Sequence, residues 1–191
     1  MYWSDEGFLL SKINFNENSI IIETFTLEHG KYTGIVYGGS SRNQKKKFQV
    51  GNKILLNWKS KNENSRGYFD VELIKAISPF FFDDKKKSAG ILSAASILKI
   101  LLPERQANKK VYNLFENMLA ELRSNNWIKI YINWELSLIK ELGFETNLKT
   151  NFGDDIKKAL AFNRNLLMNN FIIPNGLKFP LFRNILENYF S

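Results

Sequence analysis

Between Glu28 and Glu63 lie 34 residues without one acidic side chain, and they carry eight bases: Lys31, Arg42, Lys45, Lys46, Lys47, Lys53, Lys59 and Lys61. The formal charge of the whole chain is +8, and outside this window basic and acidic residues balance at 19 each. A lysine-rich composition, 21 lysines to 6 arginines, would spread bases along the chain; it would not strip acids from one stretch. Tyr37, Phe48 and Trp58 are interleaved with the bases. Single-stranded nucleic acid is held by that combination, with cations tracking phosphates and aromatic faces stacking on bases. Taken singly, Phe48 and Trp58 read as packing residues and Lys45–Lys47 as a solvated loop tip. Taken whole, the window points to a polyanion. The candidate nucleic-acid contacts are therefore Lys31, Tyr37, Arg42, Lys45, Lys46, Lys47, Lys53, Trp58, Lys59 and Lys61. The turn Gly38-Gly39-Ser40-Ser41 beside Arg42 would add backbone N–H groups at close approach.

Covalent chemistry finds little to use. The chain has no cysteine, which removes disulfides, thiolate zinc ligands and a cysteine nucleophile, and one histidine, His29, which cannot build a multi-histidine metal site. His29 precedes Gly30 and is expected in a turn. Asp83-Asp84 and Asp154-Asp155 could hold Mg²⁺ in principle, but adjacent aspartates more often cap helices. Lys85-Lys86-Lys87 and Lys109-Lys110 suit solvated helix ends. No phosphate-loop, dinucleotide or nucleophile-elbow pattern is present. No enzyme, cofactor or metal is expected. The opening residues, Met1 to Glu6, lack the basic start of a signal peptide, and the longest apolar stretch, Ile91–Leu102, is broken by Ser93, Ser96 and Lys99. A cytoplasmic protein off the membrane is the expectation.

These residues must be positioned by two different kinds of element. Up to about Ser78 the apolar residues come in short runs, Gly7–Ile13, Ile20–Leu27, Tyr32–Tyr37, Lys53–Ser60 and Tyr68–Ile77, parted by turn chemistry such as Asn16-Glu17-Asn18-Ser19 and Gly51-Asn52. In the last run Phe69, Val71 and Leu73 alternate with Tyr68, Asp70 and Glu72. Five such strands in about 80 residues predict an OB-type barrel, an SH3-like barrel having a similar profile. From Lys86 the period turns helical: Ile91 to Leu102, Val111 to Leu122, Ile128 to Leu142, a stripe from Ile156, and Leu181 to Phe190 after Pro180. The expected class is α+β: an N-terminal five-stranded OB-type β-barrel over 1–80, then an all-α helical bundle of four to five helices over 81–191. Phe80-Phe81-Phe82 at the boundary is expected to pin the two together.

The runs Trp3-Ser4-Asp5-Glu6-Gly7-Phe8-Leu9-Leu10, Thr26-Leu27-Glu28-His29-Gly30 and Gly38-Gly39-Ser40-Ser41-Arg42 resemble the N-terminal domain of RecO, the bacterial recombination mediator. Leu101-Leu102-Pro103-Glu104-Arg105 and Glu141-Leu142-Gly143-Phe144 resemble the helical part of that family in its alphaproteobacterial style. The resemblance implies an OB fold joined to a helical domain, and a DNA repair and recombination function without catalysis. It implies binding of single- and double-stranded DNA, annealing of complementary strands, contact with the acidic tail of single-strand binding protein, and work with RecR to load RecA, which would place the protein on the nucleoid. Many relatives carry four cysteines for zinc after Leu-Gly-Phe. Here Leu142-Gly143-Phe144 leads to Asn151-Phe152-Gly153-Asp154 without cysteine, so the zinc subdomain is expected to be absent or shortened near 148–154. Tyr37 and Ser40 stand where relatives tend to be basic, a loss that Lys45–Lys47 would offset. Two other functions stay open: a protein-interaction adaptor docking acidic tails through Arg105, Lys109 and Lys110, and an RNA-binding OB protein.

Overall fold

The computed structural model describes residues 1–41, 44, 46–62, 65–144 and 155–191. Five strands form first: β1 (Tyr2–Asn14), β2 (Ser19–Thr26), β3 (Gly30–Tyr37), β4 (Lys53–Lys59) and β5 (Tyr68–Lys75). They close a barrel in the order β1-β2-β3-β5-β4, antiparallel except where β3 meets β5 in parallel. This is the OB-type barrel expected from the sequence. β1 begins at Tyr2, five residues ahead of the apolar run starting at Gly7. Its acidic opening is admitted because Asp5 is buried with partners: its carboxylate accepts the backbone N–H of Glu6 (2.8 Å), Glu28 (2.8 Å) and His29 (3.1 Å), and His29 Nδ1–H (2.9 Å). That satisfies a charge which burial would otherwise penalise.

Alternation assigns the inside. Leu9, Ile22, Val36, Ile54, Leu56, Trp58, Phe69 and Val71 fill the barrel with Phe48 from the β3–β4 connection. Gly34 sits under the Phe69 ring, where a β-carbon would overlap it. The outward side of the same strands divides along its length. At one end Phe8, Leu10 and Phe25 belong to the helical core; at the other the surface is open.

The helices are α1 (Lys85–Leu101), α2 (Lys109–Ala120), α3 (Trp127–Glu141), α4 (Ile156–Leu167) and α5 (Leu181–Asn188). Asp84, Asn108 and Asp155 cap α1, α2 and α4 by accepting the backbone N–H of Lys87, Val111 and Lys158. Asp84 and Asp155 are thus caps, as adjacent aspartates usually are. Leu98, Val111, Phe115, Tyr131, Leu138, Leu160 and Leu186 build one core that continues into the barrel's covered face, where Phe8 meets Phe115 and Tyr112 with ring centres 5.2 Å apart. The phenylalanine triplet contributes less than expected. Phe81 is buried, whereas Phe80 and Phe82 are 66% and 57% exposed, because a short 3₁₀ turn over Ser78–Phe81 points only one of three rings inward.

A fully buried ionic cluster ties the helices to each other. Arg183 of α5 donates through Nε to Glu135 Oε1 (2.5 Å) and through Nη2 to Glu135 Oε2 (3.2 Å) and the Leu160 carbonyl (2.9 Å). Asn163 Nδ2 donates to Glu135 Oε2 (3.0 Å), and the Tyr131 hydroxyl donates to Glu135 Oε1 (2.8 Å) while meeting Ser93 Oγ at 2.6 Å. Burial, then the Glu135 charge, holds the Tyr131 phenol well above its ordinary range. Burial and Glu6 do the same for Tyr112. For Lys53, burial pulls downward, but hydrogen bonds and charge from Glu116 and Glu6 prevail and the net shift is upward. All three groups hold their protons more tightly folded than unfolded. The stability they contribute is present in full below about pH 10 and lost as pH rises beyond it. Urea denaturation midpoints should therefore stay level from neutral pH to about 9 and fall above about 10, a midpoint that climbs there contradicting the assignment.

Candidate nucleic-acid interface

The open end of the barrel carries a row of side chains from four strands. Tyr2 of β1 pairs in register with Lys59 of β4, and Lys59 pairs with Tyr68 of β5. Tyr68 pairs with Ile35 of β3, and its ring centre lies 6.1 Å from that of Tyr37, farther along β3. Register partners project to the same side of a sheet, so the row faces outward together. Lys59 Nζ stands 5.9 Å above the Tyr2 ring. The tyrosines are 62% (Tyr2), 45% (Tyr68) and 68% (Tyr37) exposed, which is unusual for three neighbouring aromatics and leaves their faces open to a ligand. Lys61 and Arg66 are exposed on the β4–β5 connection, and Lys46 on the β3–β4 connection. Lys47 donates to the Val71 carbonyl (2.6 Å) at the edge of a 270 Å³ hollow that Tyr37, Lys59 and Tyr68 also line.

The acid-free window does not act as one surface. Lys31 and Lys53 lie on the same outward side of β3 and β4 as Tyr37 and Lys59, but at the covered end. Lys31 Nζ donates to the Lys99 carbonyl (2.8 Å) and lies 3.5 Å from Glu104; Lys53 Nζ bridges Glu6 (2.8 Å) and Glu116 (2.7 Å). Both charges are engaged in joining the barrel to the helices, so neither is placed to meet a nucleic acid. Trp58 is likewise turned inward: its ring is 3% exposed and its indole donates to the Arg66 carbonyl (3.2 Å). Phe48 is core. The backbone N–H groups of Gly38 and Ser41 bond to the carbonyls of Asn18 (2.6 Å) and Gly38 (3.3 Å), so they do not form an anion cradle. Arg42 and Lys45 lie outside the described residues, as does the segment near 148–154. Tyr37, Lys46, Lys47, Lys59 and Lys61 remain of the expected set on the open side. Tyr2, Tyr68 and Arg66 join them without having been expected; the only signal in the chain was that Tyr68 falls on the polar side of its alternating strand.

The three cations expected to dock a partner meet different parts of the chain. Lys110 pairs with Glu141 (3.1 Å) and Lys109 with Glu28 (2.6 Å). Arg105 stands over the Tyr32 ring at 5.3 Å, beside the barrel mouth. Its backbone takes φ 60°, and its N–H donates to the Lys31 carbonyl at 2.9 Å. Among the described residues no three of His, Asp and Glu gather as a metal site, and no helix is long and apolar enough to cross a membrane.

Residues 1–77 match the family described as Recombination protein O N terminal, and residues 83–153 the family described as Recombination protein O C terminal. This chain belongs to the RecO family. It is 33% identical over 160 residues to DNA repair protein RecO of Cereibacter sphaeroides strain ATCC 17025, covering 84% of this chain and 67% of that protein. It is 33% identical over 164 residues to DNA repair protein RecO of Wolbachia sp. subsp. Drosophila simulans, covering 85% and 68%. DNA repair protein RecO of Jannaschia sp. is 32% identical over 162 residues, covering 85% and 66%. The chain therefore spans about two thirds of the length of these relatives. The match to the RecO N-terminal domain covers the whole barrel, tyrosine row included.

Proposed function

We propose that this chain is a non-enzymatic mediator of recombinational DNA repair that binds and anneals single-stranded DNA and helps to load recombinase. The observation that supports this most directly is the row Tyr2–Lys59–Tyr68–Tyr37 on the open face of an OB-type barrel, flanked by Lys46, Lys47, Lys61 and Arg66. Annealing brings two polyanions together, and a band of fixed cations lowers their repulsion. Tyrosine faces hold bases splayed and unpaired, available to a complementary strand, without selecting among sequences. Single-strand binding protein, RecR and RecA are the partners that the family resemblance suggests, on nucleoid DNA in the cytoplasm.

Five cations, Lys46, Lys47, Lys59, Lys61 and Arg66, would contact about five phosphates. The logarithm of the affinity for single-stranded DNA should then fall against the logarithm of salt with a slope near −3.5, at about −0.7 per contact. Lys59→Glu with Lys61→Glu should flatten the slope by at least about 1.4. Fluorescence anisotropy titrations with an oligonucleotide at several salt concentrations measure both. A wild-type slope near zero, or an unchanged slope in the double variant, would remove this face from the mechanism.

A further inference from the structure

The barrel mouth beside Tyr2 holds a second, larger hollow. A cavity of about 500 Å³ is lined by Met1, Tyr2, Trp3, His29, Tyr32, Trp58 and Arg105. Its walls are aromatic and ordered. Trp3 stacks on His29 with ring centres 4.2 Å apart and planes 10° off parallel, and Trp58 lies nearly parallel to Trp3 at 5.6 Å. Tyr32 stands edge-on to both indoles, at 5.0 and 5.6 Å. His29 is fixed in this stack by its bond to buried Asp5, which also fixes the turn before β3. The Trp3 indole N–H is buried and meets no acceptor among the described residues.

Arg105 closes the rim. A non-glycine residue at φ 60° is uncommon and costs local strain, and here its neighbours hold it: its N–H bonds to the Lys31 carbonyl and Glu104 bridges to β3 in parallel. The outcome is a guanidinium over the face of Tyr32, at the edge of an aromatic slot.

We propose that this slot takes one unstacked nucleobase, with Arg105 on the phosphate that follows it. Three observations favour that occupant. The size falls in the range of small-ligand cavities, about 300–1,000 Å³. A stack of flat aromatic rings with a cation at the rim matches a flat π-system, which would extend the stack, joined to an anion. Tyr2 is both the last member of the exposed row and a wall of the slot, so a strand lying along the row runs into it. Four strands spaced about 4.8 Å apart give the row a length of about 14 Å, or roughly four stacked nucleotides. The slot then takes the next base out of the stack, which would set the register of the bound strand. This inference deepens the proposed function and uses the same face, but its ligand is a single nucleotide, which allows a separate test.

Deoxyadenosine monophosphate is titrated against the full chain while tryptophan fluorescence is followed. Saturable quenching is expected, weakened about tenfold or more by Arg105→Gln and unaltered by Tyr37→Ala with Tyr68→Ala. In parallel, 2-aminopurine is placed at successive positions of a 12-nucleotide strand. One position should be quenched well beyond its neighbours, and only that excess should vanish in Arg105→Gln. If the strand binds through the row but neither the mononucleotide nor any one position responds, the slot assignment is overturned and the proposed function stands. If the mononucleotide binds with the expected Arg105 dependence and the strand does not, the slot stands and the strand-binding function falls. If neither binds, both fall. If a Phe-ended acidic peptide quenches the tryptophans through Arg105 and the mononucleotide does not, the occupant is a protein tail and the proposal is overturned.

Discussion

Tyr68→Ala should weaken binding of single-stranded DNA by roughly 5- to 150-fold. That range corresponds to the loss of about 1–3 kcal/mol that removal of one stacking aromatic costs in sequence-tolerant strand binding. Tyr68 is at the centre of the row, in register with Lys59 and 6.1 Å from Tyr37, so a base seated on it has neighbours on both sides. Its side chain is 45% exposed, and the barrel should keep its stability without it. Tyr68→Phe preserves the π face and should recover most of the affinity. Phe80, 66% exposed but placed at the boundary between barrel and helices, serves as the control. Phe80→Ala should leave DNA affinity within about twofold, because the ring is more exposed than Tyr68 but lies away from the row. Anisotropy titrations of the three variants decide the matter. Equal losses at Tyr68 and Phe80 would mean that exposed aromatic surface in general is responsible, and no loss at Tyr68 would remove the stacking row.

The largest stability effect is expected far from that face, at Arg183. Arg183→Met leaves the Glu135 carboxylate fully buried with its cation gone, a change that typically costs about 3–5 kcal/mol. For a chain of this length each kcal/mol moves the melting temperature by about 2–4 °C, so a fall of roughly 6–20 °C should be seen by calorimetry. Removing both charges, as Glu135→Leu with Arg183→Met, should be less damaging than either single change. The penalty lies in the orphaned charge more than in the loss of the pair, although Asn163 and Tyr131 would each lose an acceptor as well. A single variant that melts within 2 °C of the parent would show that the Glu135 side chain is accommodated without Arg183 at no cost, and the cluster would not have the role assigned to it.

The sequence and the structure agree most closely where structure is local. Periods of two and of 3.6 are properties of consecutive residues, so the five strands and five helices can be read from patterns such as Phe69-x-Val71 and Val111 to Leu122. Charge depletion between Glu28 and Glu63 also pointed to the half of the molecule that carries the proposed row. What could not be read is which end of each strand the helices cover. Lys53 and Lys59 share one strand and one side, six residues apart, and only the packing of α2 with its Glu116 separates a structural cation from an exposed one. Lys31 and Tyr37 divide in the same way on β3. The row itself depends on register between β1, β4 and β5, residues up to 66 positions apart in the chain, as Tyr2 and Tyr68 are. Arg183 and Glu135 were hidden for the same reason: each looks like a solvent-facing charge on an amphipathic helix until α5 settles on α1 and carries Arg183 to Glu135 of α3. The Asp5–His29 pair belongs here too, since an acidic opening and a histidine before glycine gave no hint of a stacked aromatic mouth.

The shared core described for the barrel's covered face has a thermodynamic consequence. Phe8, Leu10 and Phe25 are strand residues, yet they belong to the helical core and not to the interior of their own barrel, Phe8 meeting Tyr112 and Phe115 of α2 and Phe25 meeting Tyr112. Cutting the chain between β5 and α1 would strip both halves of apolar cover at once, so neither half is a natural fragment. Heat should then melt strands and helices in a single transition. A ligand held only by the tyrosine row stabilises the whole folded chain by linkage and must delay the loss of helix as much as the loss of sheet. Circular dichroism at the helical band, recorded on residues away from the row, would then be a thermometer for a ligand bound on the barrel.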